Sequence, residues 1–406
     1  MTVLFNQQQN EGSPLIQFAS IYGTLLPGPG GQYLDDSLFV GEPGFDRVDS
    51  EQTGITAMFE HRFNPVWSIK ANARYVEAEA EYQHAWWAYA NYPTRYRADG
   101  AMERTVYRAE NTLETFSTDV NATATYALGG ADMTTLIGAS YARGEYDSDT
   151  GYGAQNGPIN PFAPIYTGVT PVTATDTPAN TIKEWGIHVQ NRAPWNDRLH
   201  MDLGLRYGHV ETGQAGSTFV PATTDADDDA WTTNAALLYR FDTGLAPYVS
   251  YAESFRQEIV GTDAAGNPFK PTEGEQYEIG LKYQPVGTNM LFTVSAFDLT
   301  KSNMAEADPL NPFQVQTGEA SSRGIELEAK TRIGDVTFDA AYTIQDTENL
   351  TGDTFANVPE KSGSLWINYA PSAGVLQGWR IGGGVRYTGT KWDGTDTQAT
   401  PSYTHL

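Results

Sequence analysis

The sequence predicts an all-β chain, an antiparallel transmembrane β-barrel of about fifteen or sixteen strands. Three observations carry that reading. The first is alternation. Over residues 276–283, Tyr277, Ile279, Leu281 and Tyr283 fall on one face and Glu278, Gly280 and Lys282 on the other. Over 323–330, Ile325, Leu327 and Ala329 oppose Gly324, Glu326, Glu328 and Lys330. A period of two is a strand with one apolar and one polar face. The second is the rhythm of connections: a tight turn at 285–288, then a long polar loop at 301–318. Tight periplasmic turns and long outer loops alternate in this way in outer-membrane barrels. The third is aromatic content, with Tyr 23, Phe 17 and Trp 9, which suits the girdles at the two membrane interfaces.

Composition narrows the class further. Hydrophobic residues are 40% of the 406, and mean hydropathy is −0.44. A barrel tolerates this, because only every second strand residue faces lipid. No run of about 18 apolar residues occurs, so a membrane-spanning helix is not expected. With Cys 0, disulfides and thiolate metal sites are excluded. A net charge of −25 argues against nucleic acid as a partner. The first residues lack the basic and apolar regions of a secretory signal. If the protein works in an outer membrane, the sequence is expected to be a mature or truncated form.

In chain order, the expected strands cover 2–10, 51–63, 67–80, 112–128, 133–146, 181–192, 199–210, 231–241 and 245–255. They continue at 276–283, 291–297, 323–330, 336–344, 364–369 and 381–387, with a last one begun at 401–406. Each follows from alternation or from a β-branched and aromatic run bounded by turn residues. Asn64-Pro65, Gly129-Gly130 and 242–244 mark turns. The stretches 11–49, 81–110, 147–180 and a segment ending in Asp225 to Asp229 read as long loops. No fixed repeat and no domain boundary interrupts the series, so 1–406 reads as one barrel domain.

Residue order across the chain adds a resemblance. Tyr248-Val-Ser-Tyr-Ala-Glu-Ser-Phe255 and Pro268-Phe-Lys-Pro-Thr-Glu-Gly-Glu-Gln-Tyr277 resemble the TonB-dependent siderophore receptors, ferrichrome or hydroxamate type. Phe297-Asp-Leu-Thr-Lys301, Ser322-Arg-Gly-Ile-Glu-Leu-Glu-Ala-Lys330 and Gly384-Val-Arg-Tyr387 continue the likeness, and Gly41-Glu-Pro-Gly-Phe-Asp46 extends it upstream. The resemblance implies a piece of a barrel of about 22 strands. It places residue 1 near the family's fifth strand and Leu406 at the start of its twentieth. Nothing in 1–406 resembles the plug domain or the segment that engages the energy-coupling protein. Local departures include Lys361, where the family often carries His, and Gln257-Glu258 in place of a Pro-containing step.

What the resemblance implies about function is recognition of a ferric siderophore at the outer mouth, followed by TonB-dependent uptake across the outer membrane by a monomer, with no enzymatic activity. Alignment to the family puts Phe18, Trp86 and Tyr152 at ligand-contacting positions, with Trp87 and Tyr89 as alternatives. An interface girdle or loop packing is the competing reading for each. No cofactor is expected; iron arrives inside its chelator. His188 and His200 are weighed as a pair across one hairpin, against ordinary polar histidines. Asp225 to Asp229 are weighed as a calcium loop, against a solvated acidic loop. Glu326/Glu328 lie two apart on one face, a polar row and not an opposed acid/base pair. Two other functions remain open on the sequence alone: a passive porin-like channel and a soluble all-β binding module.

Overall fold

The computed structural model describes the chain apart from residues 15–18, 89–95, 154–155, 176, 178, 197, 216–223, 257–267, 308–313 and 395. Sixteen strands form one antiparallel sheet, each hydrogen-bonded to its sequence neighbour. They are β1 (Thr2–Gly12), β2 (Arg47–Arg62), β3 (Trp67–Trp87), β4 (Arg104–Leu128), β5 (Ala131–Gly153), β6 (Ala179–Pro194), β7 (Leu199–Gln214) and β8 (Thr224–Tyr239). The series goes on with β9 (Leu245–Arg256), β10 (Thr272–Tyr283), β11 (Met290–Ala307), β12 (Gln314–Ile333), β13 (Val336–Glu348), β14 (Lys361–Tyr369) and β15 (Ile381–Thr388). A short ribbon, β16 (Lys391–Trp392) with β17 (Ala399–Thr400), precedes the final strand β18 (Tyr403–His405), which pairs with β15. β1 and β18 lie at the two ends of the sheet. Among the described residues no helix is long and apolar enough to cross a membrane; the crossing elements are strands.

One face of the sheet is apolar and bare. Tyr277 and Ile279 on β10 are 55% and 63% exposed, and Ile325 and Leu327 on β12 are also exposed. In water this would be costly; against lipid tails it is the expected outer surface. Aromatic rings border it on both sides. Toward the long connections, Trp185 meets Tyr207 (5.6 Å) and Tyr207 meets Trp231 (5.1 Å), while Tyr251 meets Tyr277 (4.9 Å). Toward the tight turns, Tyr239 meets Phe241 (4.8 Å) and Tyr283 meets Phe292 (6.5 Å). On β8 the stretch from Trp231 to Tyr239 matches the roughly 9–11 residues a tilted strand needs to cross hydrocarbon.

Every expected strand is present. The turn-side ends fall close to where the sequence places them, whereas several loop-side ends do not. β3 runs to Trp87 and β4 starts at Arg104, so much of the expected 81–110 loop is strand. β5 continues to Gly153, and β11 and β12 extend to Ala307 and from Gln314. The acidic run at Asp225 to Asp229 lies inside β8. The reason is environmental. Beyond the lipid both faces of a strand meet water or other loops, so apolar/polar alternation fades while backbone pairing persists.

Candidate ligand-binding site

The tightest packing in the described molecule lies where the long connections meet the loop-side ends of β3 and β4. Its largest fully buried side chains are Trp87, Arg104, Met102, Ile159, His84, Val40 and Val106. Val40, Trp87, Tyr96 and Met102 form one apolar cluster, with Tyr22, Leu34, Leu38 and Phe162 against it. Three connections thus share a core: 13–46, 88–103 and the one after β5. Tyr96 stacks on Phe162 at 5.6 Å and its hydroxyl donates to the Tyr22 carbonyl at 2.7 Å. Met102 and Ile159 exchange backbone hydrogen bonds of 2.8 and 3.0 Å.

Charged groups are locked into this cap. The Arg104 guanidinium is wholly buried. It reaches Glu42 Oε2 at 2.9 Å, the Gly41 carbonyl at 2.9 Å and the Val40 carbonyl at 3.2 Å, and donates from Nε to the Gly157 carbonyl. Asp46 Oδ1 accepts from the amides of Glu42 (3.1 Å) and Ala85 (3.0 Å). Gly41 is required by closeness: a Cβ there would lie 2.1 Å from Asp46 Oδ2. The segment 41–46 therefore folds back on itself and fastens onto the ends of β3 and β4.

Beside the cap, an aromatic platform covers the face opposite the lipid-directed one. On β3, Tyr82, His84 and Trp86 are spaced two apart and so share this face. His84 stands opposite Tyr107 of β4, which stands opposite Tyr152 of β5. Ring centroids are 5.1 Å apart for His84–Trp86, 5.9 Å for Trp86–Tyr107, 6.1 Å for Trp86–Tyr152 and 6.4 Å for Tyr107–Tyr152. Such separations are typical of tilted and edge-to-face packing. Tyr152 is 55% exposed, so the platform has an open side. Below it, Asn111 Oδ1 accepts from the hydroxyls of Tyr146 (2.8 Å) and Ser148 (2.6 Å).

The electrostatics of the platform are those of neutral donors. Burial raises the phenol pKa of Tyr82 and Tyr107, which keeps both hydroxyls protonated at physiological pH. The platform face carries no Lys or Arg at 82–86, 105–111 or 146–152; Arg108 points to the other face and pairs with Glu110. Such a surface can pack on a compact, partly apolar, uncharged solute and offer hydroxyls to its oxygens.

Two of the three sequence-nominated ligand residues, Trp86 and Tyr152, are thus in one ring cluster, on strands and not on loops. Phe18 lies outside the described residues, as does Tyr89. Trp87 belongs to the buried cap, on the other face from Trp86. Sequence reasoning missed Tyr82, His84 and Tyr107; the Tyr-x-His-x-Trp spacing at 82–86 is the signal for the first two. The histidine pair does not form: His188 stands opposite Arg206 and His200 opposite Pro194, and His188 Nε2 is 3.0 Å from Asn121 Oδ1. Among the described residues no group of three or more His, Asp or Glu is disposed to hold a metal ion. Asp225 to Asp229 make no calcium loop, because a strand turns successive carboxylates to opposite faces.

Comparison with known proteins places these features in a family. The family model described as "TonB dependent receptor-like, beta-barrel" matches residues 3–406. The ferrichrome outer membrane transporter/phage receptor of Escherichia coli (strain K12) is 32% identical over 415 residues, covering 94% of this chain and 54% of that protein. The ferrioxamine B receptor of Salmonella typhimurium (strain LT2) is 29% identical over 393 residues, again 94% of this chain and 54% of the relative. Among solved structures, the ferric-catecholate import receptor Fiu of E. coli K12 in its closed form superposes with a TM-score of 0.82 at 18% identity, covering 99% of this chain and 64% of that one. The siderophore receptor PiuA of Acinetobacter baumannii gives 0.80 at 20% identity, with the same coverage. The chain spans about half the length of the curated relatives it matches. Family and sheet together locate it in the bacterial outer membrane, among receptors and transporters and not enzymes: the chain belongs to the TonB-dependent receptor β-barrel family.

Proposed function

We propose that this chain is the barrel domain of a receptor that takes up ferric siderophores of the hydroxamate type by TonB-dependent active transport. The observation that carries the reading is the uncharged ring platform of Trp86, Tyr107 and Tyr152 at the mouth. A ferric trihydroxamate is compact, apolar at its rim and not anionic. Rings can pack on it, and phenol hydroxyls can reach its oxygens. A ferric tris-catecholate carries several negative charges and finds no Lys or Arg on the platform face of the stretches 82–86, 105–111 and 146–152. The names of the ferrichrome and ferrioxamine relatives point to the same ligand class. Iron is cargo inside the chelator. Transport further requires a plug domain and an inner-membrane energy-coupling complex acting on it, and the barrel works as a monomer.

The test is equilibrium binding to protein extracted from outer membranes, followed by quenching of tryptophan emission. Ferrichrome or ferrioxamine B should bind, and ferric tris-catecholate should bind far more weakly. Trp86→Ala and Tyr152→Ala should each weaken hydroxamate binding about tenfold, the value of one lost ring contact and its buried area. If both variants bind as the parent does, the platform is not the site.

A further inference from the structure

Three buried side-chain atoms in the cap have no hydrogen-bond partner: Trp87 Nε1 and a facing pair. Asp46 Oδ2 and His84 Nε2 are both buried and face each other at 3.7 Å. Both side chains are about 1% exposed. Unpaired buried polar atoms are costly, and here they sit directly under the platform. His84 Nδ1 lies 2.9 Å from the Tyr82 hydroxyl, and the His84 ring is 5.1 Å from Trp86. Asp46, for its part, is the anchor of the 13–46 connection, through the amides of Glu42 and Ala85. Other charged or titratable groups around the pair are Glu42 on the same connection, Tyr82 on β3, and Arg104 and Tyr107 on β4.

We propose that Asp46 and His84 are a compensated pair of positioning residues for the ligand platform: closing the 13–46 connection onto β3 moves a proton from the imidazole to the carboxylate instead of exchanging one with solvent. In the open state a solvated imidazole keeps the proton and the carboxylate does not. In the closed state the carboxyl O–H points at Nε2, and the imidazole Nδ1–H can donate to the Tyr82 oxygen. One proton is present before and after, so nothing is gained or lost overall. The identity of the ligand rests on the function proposed above; the proton balance of the cap does not.

The signs follow from burial. Desolvation raises the Asp46 pKa to about 6 from 3.8, so its contribution to closure is complete below the open-state value and is lost as pH rises through about 6. Desolvation lowers the His84 pKa to about 4 from 6.5, so its contribution is complete above the open-state value and is lost as pH falls through about 4. Between these limits the two slopes oppose each other. A pair that only filled space would show no slope in either single variant.

The experiment is a pH profile of ferrioxamine B affinity from about pH 5 to pH 6.5 for the outer-membrane protein and two variants. The parent should vary by less than about threefold. Asp46→Asn leaves the imidazole uncompensated and should lose about tenfold in affinity on going to the acid end. His84→Gln leaves the carboxyl uncompensated and should lose about tenfold on going to the alkaline end. Amide hydrogen exchange at Glu42 and Ala85 in ligand-free protein, corrected for intrinsic rates, should show the same opposed slopes. That readout decides the matter even if no hydroxamate binds, an outcome that would count against the proposed function alone. Flat variants, or variants sloping the same way, would overturn the pair; if neither variant folds, a parent slope steeper than about tenfold does so by itself.

Discussion

Arg104 shows how much of the mouth depends on single side chains. It is fully buried, and its fork holds Glu42 together with three backbone carbonyls from two different connections. Arg104→Gln keeps some donors but leaves the Glu42 carboxylate buried and uncompensated. Breaking one partner of a buried pair costs about 3–5 kcal/mol. Because the damage is confined to the cap, the expected outcome is rapid proteolysis within 13–46 while the strand wall stays resistant to heat and detergent. Loss of the whole barrel in a heat-modifiability assay would contradict this. Gly41→Ala should act at the same place through its clash with Asp46. At this scale the sequence was partly legible. Trp86 and Tyr152 could be nominated, but their meeting could not, because it depends on the register His84–Tyr107–Tyr152 across three strands. Arg104 and Asp46 are 58 positions apart and give no local sign of sharing a core.

Single strands carry the clearest signal, and only over part of their length. β10 is read correctly from alternation because Tyr277, Ile279 and Leu281 face lipid while Glu278 and Lys282 face inward. The upper part of β3, from Glu81 on, reads as loop in the sequence, because Glu81 and Gln83 on its outer face supply no apolar row. The 25 residues of β4 greatly exceed what a bilayer demands; the excess lifts Tyr107 above the membrane to where a ligand arrives. The two faces of a strand should therefore respond differently to charge within the span. Ile279→Lys, on the lipid face, should destabilise the barrel by about 2–4 kcal/mol. Gln276→Lys, on the opposite face near the loop side, should cost no more than about 0.5 kcal/mol. Denaturant unfolding from lipid vesicles measures both, and equal costs would mean that the faces have been assigned wrongly.

As a whole, the molecule places its apolar surface against lipid, its packed core in the cap and its charge on the outer rim. Register lines carboxylates up across strands: Glu11, Asp49, Glu81, Glu110 and Asp149 form one row over five strands, and Glu77, Glu114 and Glu145 another over three. Arg47 pairs with Asp49 and Glu81, Arg108 with Glu110, and Arg143 with Glu145. Like charges directly opposite one another on a sheet repel by a few tenths of a kcal/mol per pair, and a net charge of −25 adds a long-range term of the same sign. Together they oppose the folded state by on the order of 1–3 kcal/mol at low ionic strength. Exposed pairs of this kind are screened once the Debye length falls to a few ångströms. Raising salt from about 0.01 M to about 0.5 M should therefore increase the melting temperature of the detergent-solubilised protein, and Glu114→Gln, at the centre of a row, should shrink that increase. Surface ion pairs dominating instead would make the melting temperature fall with salt. The sign of that one slope tells whether the acidic rim is a net strain on the barrel or a net brace.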